Sequence, residues 1–219
     1  MASGVLFDVD GTLVDSNYIH TLCWHDALRS EGHVVPMSML HRAIGMGSSE
    51  LLDHVLGAGR DREADDAIIA AHSVLYRRHW ERLTTLPGAV ELLRACSQRG
   101  RTVVLASSAA DDELKALRDT LDADEAIDAA TSSSDVESAK PASDLVEVAL
   151  ARGGLRADHA VFVGDSVWDA AACAEAGVSF IGLECGGTSA AELRGAGAVE
   201  VWRDPADLLG HLAESRLGG

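Results

Sequence analysis

Apolar positions along this chain follow two rhythms, and the change between them divides it. The continuous run Gly4-Val5-Leu6-Phe7, which ends at Asp8-Val9-Asp10-Gly11-Thr12, predicts a short strand buried on both faces. From residue 17 to about 85 apolar residues return at helical spacing, as in Leu51, Leu52, Val55 and Leu56, or Ile68, Ile69, His72, Leu75 and Tyr76. No convincing strand falls in that stretch. From Leu86 onward short apolar runs alternate with helical segments: strands are predicted over 102–106, 126–130, 160–163 and 178–183, and helices over 88–99, 111–120, 141–152 and 166–176. Strict alternation of this kind predicts an α/β fold with a Rossmann-like parallel sheet covered on both faces. The helical block then becomes an insertion after the first strand, lying over the carboxyl edge where open parallel sheets bind ligands. The predicted division is a discontinuous core, residues 1–15 and 86–219, and a helical cap, residues 16–85.

Composition narrows the class. A chain of 219 residues can bury one large core, or a core with a modest inserted domain. With 47% hydrophobic residues and a mean hydropathy of +0.07, it reads as a globular protein in water. No apolar run approaches the ~20 residues of a membrane span, and the start lacks a basic and apolar leader, so a cytoplasmic protein is expected. A net charge of −17 argues against nucleic acid and anionic membranes as partners. Cys23, Cys96, Cys173 and Cys185 are far apart with no CxxC spacing, which predicts reduced thiols. No exposed apolar helix is evident, and a monomer is expected.

The candidate chemistry sits where the predicted strands end. Side chains two apart on a strand share a face, so Asp8 and Asp10 would present paired carboxylates that call for a cation or a proton. The second strand ends at Ser107-Ser108, whose hydroxyls and amides could hold an anion ahead of a helix, although serine there is commonly only a cap. Lys140-Pro141 reads as a helix start from which Lys140 projects, in a chain with only one other lysine, Lys115. After the fourth run comes Gly164-Asp165-Ser166-Val167-Trp168-Asp169, where Asp165 and Asp169 would share one helix face.

These four motifs, in this order and spacing, resemble the haloacid dehalogenase superfamily of phosphotransferases, with Leu86-Pro87-Gly88 resembling its return from an α-helical cap to the core. The resemblance implies a phosphatase in which Asp8 is the nucleophile and forms an aspartyl-phosphate. Asp10 would protonate the leaving alcohol and then activate water, with a pKa drawn toward neutrality by the neighbouring carboxylate. Mg²⁺ would be held by Asp8, the backbone carbonyl of Asp10 and Asp165, hard oxygen ligands suited to that ion. Ser107 and Lys140 would hold phosphoryl oxygens, Asp169 would orient Lys140 or a metal-bound water, and Ser108, Gly11, Thr12, His20, Gly47 and Ser48 would line the substrate site. For His20 a structural role as a packed hinge residue weighs equally with a substrate role.

Departures narrow the reaction. Asp10 argues against halide displacement, which needs no protonated leaving oxygen, and the absence of a cap lysine argues against Schiff-base cleavage of phosphonates. Asp15-Ser16-Asn17-Tyr18-Ile19-His20 resembles the hinge of β-phosphoglucomutases, but the loop at 45–49 lacks the basic residues a second phosphate needs. The favoured expectation is a phosphoglycolate-phosphatase-like hydrolase of a small phosphorylated metabolite. The alternatives are a hexose-phosphate mutase and a silent phosphate-binding module, which would be expected to lack one of these groups.

Overall fold

The computed structural model describes residues 3–135 and 140–218. Six strands among them form one parallel sheet: β1 (Gly4–Phe7), β2 (Thr102–Ala106), β3 (Ala129–Thr131), β4 (Ala160–Gly164), β5 (Ser179–Leu183) and β6 (Glu200–Trp202), in the spatial order β3-β2-β1-β4-β5-β6. The pleat sorts their side chains. Val5, Phe7, Val103, Leu105, Val161 and Val163 enter one apolar layer, while Leu6, Val104, Ala106, Ala160 and Phe162 enter the other. Helices α5 (Ala89–Gln98), α6 (Asp111–Leu121) and α10 (Pro205–Gly210) cover the first layer with Leu92, Leu93, Leu114, Leu117 and Leu208. Helices α7 (Asp144–Gly153), α8 (Val167–Ala176) and α9 (Ala190–Gly195) cover the second with Leu145, Val146, Cys173 and Leu193.

Chain order reverses between β1 and β4, which pair in register from Gly4 with Ala160 to Phe7 with Val163. A crevice opens beyond the strand ends at such a reversal. Between β1 and β2 the chain forms α1 (Asn17–Ser30), α2 (Met37–Ala43), α3 (Ser48–Leu56) and α4 (Asp65–Arg77), as the helical spacing predicts. These helices bury their own cluster of Trp24, Leu28, Leu40, Leu51, Leu52 and Ile68. The chain enters and leaves them through two adjacent strands of backbone: the Asp15 N–H donates to the Thr84 carbonyl at 2.9 Å, and the Leu86 N–H to the Leu13 carbonyl at 2.8 Å.

Three local features differ from the sequence expectations. The third strand begins at Ala129: residues 124–126 form a helical turn, and Asp128 meets β2 through its N–H, which donates to the Val103 carbonyl at 2.9 Å, and its carboxylate, which accepts the Val103 N–H at 2.8 Å. Pro141 does not open a helix. The Lys140–Pro141 peptide is cis, the Ser143 N–H donates to Glu175 at 3.1 Å, and helical bonding starts where the Glu147 N–H reaches the Ser143 carbonyl at 3.0 Å. Beyond β5 the chain adds β6, α9 and α10, elements too short for a period to show in the sequence.

Candidate active site

Asp8 follows the last residue of β1, and its N–H still donates to the Val163 carbonyl of β4 at 2.9 Å, so its side chain leaves at the reversal point. Lys140 is fully buried, and its Nζ lies 2.6 Å from both Asp8 Oδ1 and Asp169 Oδ1. The turn before α7 therefore carries an ammonium between two carboxylates from different strand ends. Burial would lower the pKa of Lys140, but Asp169 and Asp8 outweigh it and hold the charge firmly in place. Asp169 is fixed in turn by a capping box: its Oδ2 accepts from the Ser166 hydroxyl at 2.7 Å and the Ser166 N–H at 3.1 Å, while its own N–H returns to Ser166 Oγ.

Asp165, after β4, has no basic partner of this kind. The Thr12 hydroxyl is 3.0 Å from Asp8 Oδ2 and 3.2 Å from Asp165 Oδ1, and can donate to either; Asn17 Nδ2, at the first residue of α1, donates to Asp165 Oδ2 at 2.9 Å. Gly11 and Gly186 leave room for this. A Cβ on Gly11, at φ +77°, would strike the Asn17 amide, and one on Gly186 would lie 1.6 Å from Asp165 Oδ2. Burial, then Asp8 and Asp169, push the Asp165 carboxyl well above its ordinary range, and burial with Asp169 and Asp10, against Lys140, brings Asp8 to about 7.

Asp10 turns into a second network. Its Oδ1 accepts from the Ser16 hydroxyl at 2.6 Å and lies 3.2 Å from His20 Nε2. The same nitrogen is 3.3 Å from Glu113 Oε1 of α6, and His20 Nδ1 is 3.1 Å from His72 Nε2 of α4. Burial disfavours charge on His20, but Asp10 and Glu113 outweigh it and raise its pKa, whereas burial and His20 drive His72 well down. The consistent assignment is a protonated His20 that donates from Nδ1 to a neutral His72. The rings are clamped by stacking: His20 lies 3.8 Å from Tyr76, and His72 4.1 Å from Trp24. Contrary to the expected neutral pKa, the hydrogen bonds from His20 and Ser16 overcome burial and hold Asp10 below the usual carboxylate range.

Asp8, Asp10, His20 and Ser48 line one cavity together with Ser108, Glu113, Met46 and Ile69. Several predicted groups stand behind it. Ser107 is fully buried and its hydroxyl accepts the Ala109 N–H at 3.1 Å, so Ser108 reaches the cavity in its place; Ser108 Oγ is sealed from solvent and has no partner. Gly47 caps α3 and its N–H donates to the Lys140 carbonyl at 3.4 Å, leaving Gly45, Met46 and Ser48 to face inward. Thr12 and Gly11 serve the carboxylates from beneath. Asn17, His72 and Glu113 are additions that the motifs did not mark.

A model of the haloacid dehalogenase-like hydrolase family matches residues 2–177. The chain belongs to that family. It is 28% identical over its whole length to a phosphoglycolate phosphatase of Rhodospirillum rubrum, of which the match covers 94%. A validoxylamine A 7'-phosphate phosphatase of Streptomyces hygroscopicus is 27% identical over 81% of the chain and 84% of its own length. Among solved structures, a hydrolase from Pseudomonas syringae is 33% identical and superposes with a TM-score of 0.92, covering 97% of this chain and 98% of that one. No helix among the described residues is long and apolar enough to cross a membrane.

The haloacid dehalogenase-like site also fits a divalent cation. Carboxylate oxygens of Asp8, Asp165 and Asp169 all lie within 4.8 Å of one another, and a single ammonium offsets the three acids. An all-oxygen set with surplus negative charge suits a hard ion such as Mg²⁺.

Proposed function

We propose that this haloacid dehalogenase-like hydrolase is a Mg²⁺-dependent phosphatase that cleaves a small phosphorylated metabolite through an aspartyl-phosphate on Asp8. One observation carries the reading: a carboxylate at the end of the central strand is pinned by a buried lysine at 2.6 Å, while a second, two residues on, is bonded to a histidine. Asp8 attacks the phosphorus, and its Oδ1 is aligned by Lys140, which also faces the charge that grows on the phosphoryl oxygens. Asp10, ionised at rest, relays the Nε2 proton of His20 to the leaving oxygen and then takes one from water. His20 lies against Asp10 Oδ1 and Glu113 against His20, so protons can be redistributed within this group. Ser107 shapes the turn after β2, and Ser108 lies in the cavity wall. Mg²⁺, when bound by Asp8, Asp165 and the Asp10 carbonyl, would neutralise charge on the phosphoryl group. Asp169 acts through Lys140.

Residues 16–85 would form the cap and residues 1–15 with 86–219 the core, hinged at the paired backbone near 13–15 and 84–86. All four cysteines are free, which supports a reducing compartment such as the cytoplasm. A mutase would have to grip a second phosphate, and no Lys or Arg among the described residues lines the cavity. A silent binding module would need no complete set of nucleophile, acid, lysine and metal carboxylates.

The test is phosphate release from a panel of phosphomonoesters, with Mg²⁺ or with chelator, for the native protein and Asp8→Asn. Release should require Mg²⁺ and fall by about 10³-fold or more in the variant. Release that persists in Asp8→Asn overturns the reading.

A further inference from the structure

The helical segment closes the cavity with Trp24, Ile44, Met46, Ser48, Ile69 and His72, and α6 adds Glu113. No described lining residue is Lys or Arg, and the stretch 136–139, outside the described residues, is Val-Glu-Ser-Ala in sequence. Lys140 is fully buried between Asp8 and Asp169. Four arginines of the helical segment are paired away from the cavity: Arg42 with Glu192, Arg60 with Asp53 and Asp65, Arg62 with Asp53, and Arg77 with Asp112. His20, in the lining, is already shared between Asp10 at 3.2 Å and Glu113 at 3.3 Å.

The cavity therefore offers a leaving group hydroxyls, carboxylate acceptors and apolar surface, with no cation left to receive an anion. A carboxylate on the substrate, as in phosphoglycolate, would be desolvated beside Asp10 and Glu113 without a partner, and like charges in a partly dry cleft repel strongly. A hydroxyl meets the opposite situation. It can donate to Glu113 and bond to the Ser48 hydroxyl. Excluding wrong substrates by uncompensated charge is an economical route to specificity.

We infer that the substrate is the phosphomonoester of a neutral polyol, and that the cavity rejects esters whose leaving group carries a second anion. The inference rests on the phosphatase reading and narrows it.

The test is kcat/KM at pH 8, with Mg²⁺, for glycerol 1-phosphate, a hexitol 6-phosphate, 2-phosphoglycolate and p-nitrophenyl phosphate, using the native protein and Glu113→Gln. At least one polyol ester should exceed 2-phosphoglycolate by tenfold or more and also exceed p-nitrophenyl phosphate. In Glu113→Gln the ratio of phosphoglycolate to polyol turnover should rise severalfold, and because both rates come from one preparation, any general loss of folded protein cancels. Phosphoglycolate turned over as well as the polyols overturns the inference while leaving a phosphatase. An unchanged ratio in Glu113→Gln, or p-nitrophenyl phosphate as the best substrate, also overturns it. Failure of every ester overturns the phosphatase reading, and this one with it.

Discussion

Glu113 shows how far a single side chain can be shifted by its surroundings. Burial raises its carboxyl most, His20 draws it down, and Asp10 and Asp112 raise it again, leaving it at about 7. Its folded pKa thus lies above that of the unfolded chain, so the native state binds the extra proton. Stability from this group is complete below the ordinary carboxylate range and is lost as pH rises through about 7. Glu113→Gln, which cannot ionise, should remove that loss. Urea titrations at pH 5 and pH 8 should show the native protein losing at least about 1 kcal/mol more than the variant, since one pKa unit is worth about 1.4 kcal/mol. Equal losses would mean that Glu113 titrates as an exposed acid. This residue was illegible in the sequence for a physical reason: within Asp111-Asp112-Glu113 it looks like one more acid complementing the start of a helix. Asp8 and Asp165 were legible because each ends an apolar run where packing offers no reason for a charge, and Lys140 because it is one of only two lysines and precedes a proline.

At the scale of elements, α8 joins stability to the site through two residues. Ser166 Oγ accepts the Asp169 N–H and donates to the carboxylate that holds Lys140. Ser166→Ala should cost about 1 kcal/mol as a lost cap, roughly 2–4 °C in Tm for a chain of this size. Because Asp169 also loses a bond that fixes its carboxylate, kcat should fall severalfold with KM nearly unchanged; thermal unfolding and steady-state kinetics on one preparation check both. A fall in Tm with kcat intact would confine Ser166 to capping. The motif Asp165-Ser166-Val167-Trp168-Asp169 was readable as strand end and helix start because its cap sits between two periodic segments. The turn at Lys140 was not. Proline is commonest at a helix's first turn, yet here the chain takes three more residues, through the cis Lys140–Pro141 bond, before the helix begins. Likewise the 126–130 run enters the sheet only at Ala129, because Ala126 closes a helical turn and the Asp128 carboxylate bonds to the Val103 N–H of β2, a contact no local pattern encodes.

For the whole molecule, the alternation of strands and helices and the uninterrupted helical rhythm of residues 17–85 were enough to predict the sheet and where the extra helices lie. The lining of the cavity was not, because it depends on how α1, α3 and α4 meet α6, and no periodicity reports that meeting. The same assembly concentrates negative charge at the reversal between β1 and β4, within a chain whose net charge is already −17. Asp8 lies at about 7 and Asp165 well above its ordinary range, both raised first by burial. Raised carboxyls contribute stability below the unfolded range that is lost as pH rises through their folded values, so without metal the protein should weaken from pH 5 to pH 8. Mg²⁺ requires these groups ionised and binds the native state, so its stabilisation should grow over the same interval. At 100 times its dissociation constant an ion adds about 2.7 kcal/mol, roughly 5–10 °C in Tm here. Thermal unfolding with Mg²⁺ and with chelator, at pH 5 and pH 8, checks the sign. Asp165→Asn should abolish most of the response and leave the metal-free protein more stable than the native chain at pH 8. A Mg²⁺ shift of equal size at both pH values, or one that survives in Asp165→Asn, would place the cation away from these carboxylates.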